Sequence, residues 1–227
     1  MTNDQEFSIH GIKKNTEGHI KEIAQELRAG FELLRKYQKS VTIFGSARFT
    51  TENPHYRDAK DLSHRIVKEL GYAVITGGGP GIMWAANEGA KHAGGDSVAI
   101  TIELPHEQHT NPHTTDVTNC KYFMTRKSLL IFSAEAYVFF PGGFGTFDEL
   151  FCVLTLIQTG KIPKVPVILI GKDFWNPFNK FLSENVVDVH HTIDPEDIKL
   201  FTITDNLDKA LEIIKQAPVS KWWLQMD

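Results

Sequence analysis

The sequence predicts an α/β fold, a doubly wound parallel sheet in a single domain. Three observations carry that expectation. Short β-branched runs alternate with helical patterns along the chain. The strand-like runs read as buried, as strands covered on both faces are. Glycine-rich turns follow three of those runs directly. With 227 residues and 41% hydrophobic positions, the chain can bury one such core without a disulfide or metal staple.

Residues 1–15 are polar and unpatterned and read as a lead-in. From Glu17 to Lys39, Ile20, Ile23, Leu27, Phe31 and Leu34 recur at helical spacing, which predicts an amphipathic helix packed on the body. Buried strands are expected at Val41–Phe44, Ala73–Thr76, Ser97–Ile102, Ala136–Phe140 and Val165–Ile170. Helical patterns lie between them near 56–70, 82–93, 124–134 and 145–159. A last unit has a helix near 174–187, a short strand at Leu200–Ile203 and a helix at 205–216. The chain then divides into a lead-in and helix over 1–39, the sheet domain over 40–217 and a tail over 218–227. Right-handed crossovers would bring every strand's C-terminus to one edge, where open α/β sheets bind ligands. This is the plan of one Rossmann-like domain.

Composition narrows the function classes. Lys plus Arg is 24 and Asp plus Glu 28, a net charge of −4, which does not suit a nucleic-acid binder. Cys120 and Cys152 have no metal or redox spacing and fit a reducing compartment. The first residues have no apolar signal region, and the run ending at Ile170 is far below the ~20 residues a membrane span needs. The expectation is a cytoplasmic protein with neither a nucleic-acid nor a membrane partner.

The three turns carry the chemistry. They are Gly45-Ser46-Ala47-Arg48, the run from Gly77 through Gly78, Gly79 and Pro80 to Gly81, and Pro141-Gly142-Gly143-Phe144-Gly145-Thr146. Glycine lets a backbone approach a ligand closely, and a helix that follows at once aims free N–H groups at an anion. The dinucleotide pattern GxGxxG fails, since Gly79-Pro80-Gly81 ends in Trp84 and Gly143-Phe144-Gly145 in Asp148. No Walker GxxxxGK[ST] occurs either. What remains is a compact phosphate cradle for a mononucleotide or sugar phosphate.

Glu149 follows Thr146 by three residues, near the positive end of the next helix. That position favours an ionised carboxylate, suited to a base or cation stabiliser. The structural alternative is a capping box with Thr146 as cap, and Asp148 is a further first-turn dipole partner. Arg126 and Lys127 open the 124–134 helix and can reach the same crevice, or lie on the surface as ordinary basic residues.

The run Pro141-Gly-Gly-Phe-Gly-Thr-Phe-Asp-Glu149 resembles the PGGxGTxxE motif of the LOG family. Its members are cytokinin-activating phosphoribohydrolases, often labelled "possible lysine decarboxylase". The resemblance runs from about Val41 to Gly171 and includes Phe44–Arg48, Gly77–Met83, Ala85–Asn87, Ile102–His106, Arg126-Lys127 and Leu154–Lys161. It implies a dimeric Rossmann-like enzyme that cleaves the N-glycosidic bond of a nucleoside 5′-monophosphate, AMP or a cytokinin riboside monophosphate. Free base and ribose 5-phosphate would leave, with no organic cofactor. Arg126 and Glu149 would be the catalytic pair, with Lys127 and the Gly142–Thr146 loop at the phosphate. Trp84 departs from the pattern, standing where similar bacterial members carry Glu; it either packs or shapes the base pocket. A nucleotide-binding or carrier protein without turnover is the alternative function. Lysine decarboxylation would need a pyridoxal phosphate site, and no residues mark one.

His106, His109 and His113 lie in a polar stretch with no carboxylate or cysteine to complete a metal set, so no metal is expected. His190-His191 receives no role. Cys152 reads as a small core hydrophobe, and Lys221-Trp222-Trp223-Leu224 as a tail that packs on the body or on a partner subunit.

Overall fold

Side chains along the strands alternate between two apolar cores. Val41 and Ile43 enter one core and Phe44 the other; Ala136 and Val138 enter the first, Tyr137 and Phe139 the second. This period of two on strands buried on both sides is what a sheet sandwiched by helices requires. The computed structural model describes residues 15–103 and 111–218. Within them the strands are β1 (Ser40–Phe44), β2 (Ala73–Thr76), β3 (Ser97–Ile102), β4 (Asp116–Cys120), β5 (Ala136–Phe139), β6 (Val167–Ile170) and β7 (Thr202–Thr204). They form one sheet in the order β4-β3-β2-β1-β5-β6-β7, every neighbouring pair parallel. The doubly wound α/β fold expected from the sequence is the fold observed.

The helices are α1 (Thr16–Leu34), α2 (Pro54–Arg65), α3 (Ile82–His92), α4 (Phe123–Ile131), α5 (Phe144–Gln158), α6 (Lys172–Phe181) and α7 (Leu207–Lys215). Helix α2 runs on as a π-helical turn at Ile66–Leu70, and α6 as a π-helical segment at Leu182–Val189. Leu33, Leu129, Leu150 and Trp175 place α1, α4, α5 and α6 on one face of the sheet. Leu62, Ile82 and Leu211 place α2, α3 and α7 on the other. Each such side chain, fully buried, stabilises the fold by roughly 1.5–3 kcal/mol. Local signals agree with these boundaries: Asn53 Oδ1 accepts the His55 N–H at 2.9 Å with Pro54 opening α2, and Asn206 Oδ1 accepts the Lys209 N–H at the start of α7.

Several bounds differ from the sequence expectation: α1 ends at Leu34 rather than Lys39, α4 at Ile131 rather than 134 and β5 at Phe139 rather than Phe140, and four further differences follow. Residues Asp116–Cys120 form a strand, β4, that the sequence reading did not include. It is an edge strand rich in Asp, Thr and Asn with Val117 52% exposed, so it lacks the apolar signature of a covered strand. Strand β6 starts at Val167 rather than Val165, after Pro166, which has no N–H to give a ladder. A 3₁₀ turn at Asp197–Lys199 pushes β7 on to Thr202–Thr204. Helix α6 starts at Lys172 and holds Pro177 internally. The 1–14 lead-in, His106, His109 and the 219–227 tail with its tryptophans lie outside the described residues. Among the described residues no helix is long and apolar enough to cross a membrane.

Strand order reverses between β1 and β5, with β2 to β4 on one side and β6 and β7 on the other. A crevice opens at the C-terminal ends of strands on either side of such a reversal. The turns after β1 and β5 are Gly45–Arg48 and Pro141–Thr146.

Candidate functional site

The glycine turns are bonded to one another. Ser46 N–H donates to the Pro141 carbonyl at 2.9 Å, and the Ser46 carbonyl accepts the Ile82 N–H at 3.0 Å. Ser46 thereby joins the turns after β1, β2 and β5. Gly81 has φ +69°, and a Cβ there would run into the Ser46 carbonyl, so only glycine fits. A Cβ at Gly45 would collide with Ile82, one at Gly79 with Met83, and one at Gly142 with Thr146. These glycines serve close packing. Gly143 and Gly145 differ: the space beside each is open. They are where a ligand can approach.

A buried polar network holds the β2 turn. Gly78 N–H donates to Thr76 Oγ1 at 2.9 Å, which donates to Asn87 Oδ1 at 2.6 Å. Asn87, wholly buried, donates on to Ser97 Oγ at 2.9 Å and accepts from Asn111 Nδ2 at 2.9 Å. Such a satisfied network rigidifies the turn it anchors.

Helix α5 starts three residues earlier than the capping-box reading requires, at Phe144 rather than Phe147. Gly143 is its N-cap, no side chain caps it, and Phe147 N–H to the Gly143 carbonyl at 3.1 Å closes the first turn. The N–H groups of Phe144, Gly145 and Thr146 have no carbonyl four residues back within the helix, and the open glycines lie among them. Thr146 is not the cap. It is buried, as is Glu149, one turn further into the helix. Glu149 Oε2 has no hydrogen-bond partner, which rules out a capping role for that oxygen.

Glu149 is 8% exposed, and burial pushes its carboxyl up to about 7, against the pull of Arg126 and Lys127, with Asp148 adding to the rise. Helix position had suggested an ionised carboxylate; with burial outweighing the two neighbouring cations, the group is instead poised between its two forms near neutral pH. Arg126 reaches across two strands: its Nε donates to the Ile100 carbonyl within β3 at 3.0 Å and its Nη2 to the Gly77 carbonyl just after β2 at 3.2 Å. A Cβ at Gly77 would strike that guanidinium, so Gly77 makes room for it. Burial pulls Arg126 below its ordinary value, and the Glu149 charge opposes the fall. Two of the five guanidinium N–H donors are engaged by these carbonyls; the others remain for an anion.

The structure brings Arg126, Glu149 and the glycine turns to one sheet edge. Lys127 is there too, ion-paired with Asp148 at 2.5 Å across α4 and α5, which raises its amine's pKa. Trp84 is half-buried in the first turn of α3, and its ring lies 5.9 Å from that of His113. Met83, quoted in the glycine run without a role, is the residue that reaches the site, against Gly77 and Gly79 beside Arg126. Among the described residues no group of three His, Cys, Asp or Glu could hold a metal.

Fold and site together define a Rossmann-like α/β protein with glycine-rich turns at the switch point and a buried Arg126 and Glu149 that feel each other's charge. Residues 83–214, more than half of the chain, match the family described as "Possible lysine decarboxylase", and the chain belongs to this family, the LOG family. A cytokinin riboside 5′-monophosphate phosphoribohydrolase of rice, Oryza sativa subsp. japonica, is 31% identical over 152 residues, 65% of this chain and 61% of the rice protein. The matched segment thus spans less than two thirds of that relative's length. The corresponding enzyme of Rhodococcoides fascians is 26% identical over 68% of this chain and 79% of its own length. Among solved structures, the structural-genomics protein TM1055 superposes with a TM-score of 0.58 at 25% identity, covering 78% of this chain and 99% of that one. The molybdenum cofactor carrier protein of Chlamydomonas reinhardtii gives 0.60 at 21% identity over 79% and 98%, a likeness of fold alone.

Proposed function

We propose that this chain is a phosphoribohydrolase, cleaving the N-glycosidic bond of a nucleoside 5′-monophosphate with water to give free base and ribose 5-phosphate. The observation that carries this reading is the buried Glu149 carboxyl with its unpartnered Oε2, set behind a glycine turn that is open at Gly143 and Gly145. The phosphate would lie on the first-turn N–H groups of α5, with Lys127 and Arg126 adding positive charge. As the bond to the base lengthens, positive charge builds on the ribose, and the Glu149 carboxylate stabilises it or takes a proton from the attacking water. Arg126 holds an anionic group or assists the departing base. The named relatives that act on cytokinin riboside monophosphates support the choice of substrate class.

The active assembly in this reading is a homodimer, with the apolar surface at Phe144, 97% exposed, and Phe151 on α5 as the face for the second copy. Light scattering at the mass of two chains would support it, and a monomer at working concentration would refute it.

The test incubates the purified chain with AMP, adenosine and isopentenyl-AMP, with Glu149→Gln alongside. Base released from the monophosphates, not from adenosine, and lost in the variant supports the reading. AMP binding by calorimetry without base release overturns it in favour of a nucleotide carrier.

A further inference from the structure

Helix α1 precedes the family match and every motif quoted from the sequence, yet it carries a stripe of side chains aimed at α4. His19, Glu22, Glu26 and Gly30 follow one another by three or four residues and so share one helix face. Glu26 Oε1 accepts the backbone N–H of Lys121 at 2.8 Å, and Glu26 Oε2 accepts the hydroxyl of the wholly buried Thr125. Glu22 Oε2 accepts the Tyr122 hydroxyl at 2.7 Å and the Lys121 ammonium at 3.4 Å, while His19 Nδ1 meets the same hydroxyl at 2.5 Å. Gly30 lets Leu129 pack so closely that a Cβ there would collide with it.

The N-terminus of α4 needs such help, because its N-cap is Tyr122, whose side chain makes no capping bond. Glu26 brackets that N-cap from another helix, binding the Lys121 N–H just before it and the Thr125 hydroxyl in the first turn, with its carboxylate at the positive end of the α4 dipole. Thr125 immediately precedes Arg126, whose own N–H bonds the Tyr122 carbonyl at 3.2 Å in that same first turn. Arg126 is therefore held directly by the Ile100 and Gly77 carbonyls at its guanidinium, and indirectly by α1 through the bonds to Lys121, Tyr122 and Thr125 that precede it.

We propose that α1 is a positioning element for the candidate site, with Glu26 its principal residue, clamping the first turn of α4 so that Arg126 keeps its place across β2 and β3. The proposal rests on the phosphoribohydrolase reading for its consequence in turnover, but the clamp itself can be measured without turnover. A displacement of a catalytic group by about 1 Å can cost up to ~100-fold in rate, so a clamp outside the crevice can act through Arg126 alone.

The test uses the full chain as Glu26→Ala, Glu26→Gln, Arg126→Ala and the Glu26→Ala/Arg126→Ala double variant. Amide hydrogen exchange read by mass spectrometry should be at least ~10-fold faster over 121–126 in Glu26→Ala, with β1 and β5 unchanged. With AMP, kcat should fall about 10-fold with KM little altered, and Glu26→Gln, which keeps an acceptor oxygen for the Lys121 N–H, should regain most of it. In the Arg126→Ala background, Glu26→Ala should lower kcat no further. Unchanged exchange at 121–126 overturns the clamp. A full multiplicative loss in the double variant, or a lower Tm with kcat intact, overturns its action through Arg126. If the parent chain does not cleave AMP, the phosphoribohydrolase reading fails while the exchange result still decides the clamp.

Discussion

Ser46 and Pro141 face each other across the point where the strand order reverses, and the Ser46 N–H donates to the Pro141 carbonyl at 2.9 Å. The Ser46 carbonyl in turn takes the first N–H of α3. One residue thus ties three turns into a single rim, and the rim exists only because Gly81 carries no side chain.

Gly81→Ala and Gly143→Ala should therefore part company. At Gly81 a Cβ meets the Ser46 carbonyl at positive φ, so alanine should destabilise by roughly 2–4 kcal/mol. At Gly143 the backbone is extended, φ −95° and ψ −156°, with open space beside it. Alanine there should leave the Tm unchanged yet raise KM for AMP several-fold, because the methyl group stands where the phosphate would lie. Thermal melts and steady-state kinetics of the two variants check both halves.

Glu149→Gln should abolish turnover and stabilise the protein. The carboxyl titrates at about 7 when folded against an ordinary 4.5, so between those values the folded protein keeps a proton that the unfolded chain has released. Raising the pH through that window weakens the fold, by about 3 kcal/mol once both states are ionised. The neutral amide escapes this. The variant's Tm should exceed the parent's at pH 8, and the difference should shrink towards pH 5.

For a carboxylate that stabilises charge or takes a proton from water, activity follows its ionised fraction. Log kcat/KM for AMP should climb with slope one below about pH 7 and level off above it. A profile that falls through the same range would identify Glu149 as a proton donor instead.

Trp84 is only half-buried and its ring meets that of His113, so Trp84→Glu should alter the Tm little, corresponding to about 1 kcal/mol or less. If its ring borders the base, the ratio of kcat/KM between AMP and isopentenyl-AMP should change several-fold. An unchanged ratio and unchanged Michaelis constants would remove Trp84 from the base site.

The alternation of apolar runs and helical stripes, the glycine turns and the PGGxGTxxE run are local patterns. From them the sequence by itself determined the doubly wound sheet, the edge that carries the turns and the family. The edge strand β4 escaped because an uncovered strand needs no apolar code, and its partner β3 supplies the ladder. What tertiary structure alone decided is the state of the site. Helix position argued for an ionised Glu149; burial by surrounding elements argues the other way, because removing a carboxylate from water outweighs the pull of Arg126 and Lys127. Likewise Gly45 and Gly143 look alike in sequence, but Ile82 fills the space beside one and no atom fills the space beside the other. The Glu26 clamp joins residues almost a hundred positions apart, a pairing that no local pattern encodes and only the packing of α1 on α4 creates.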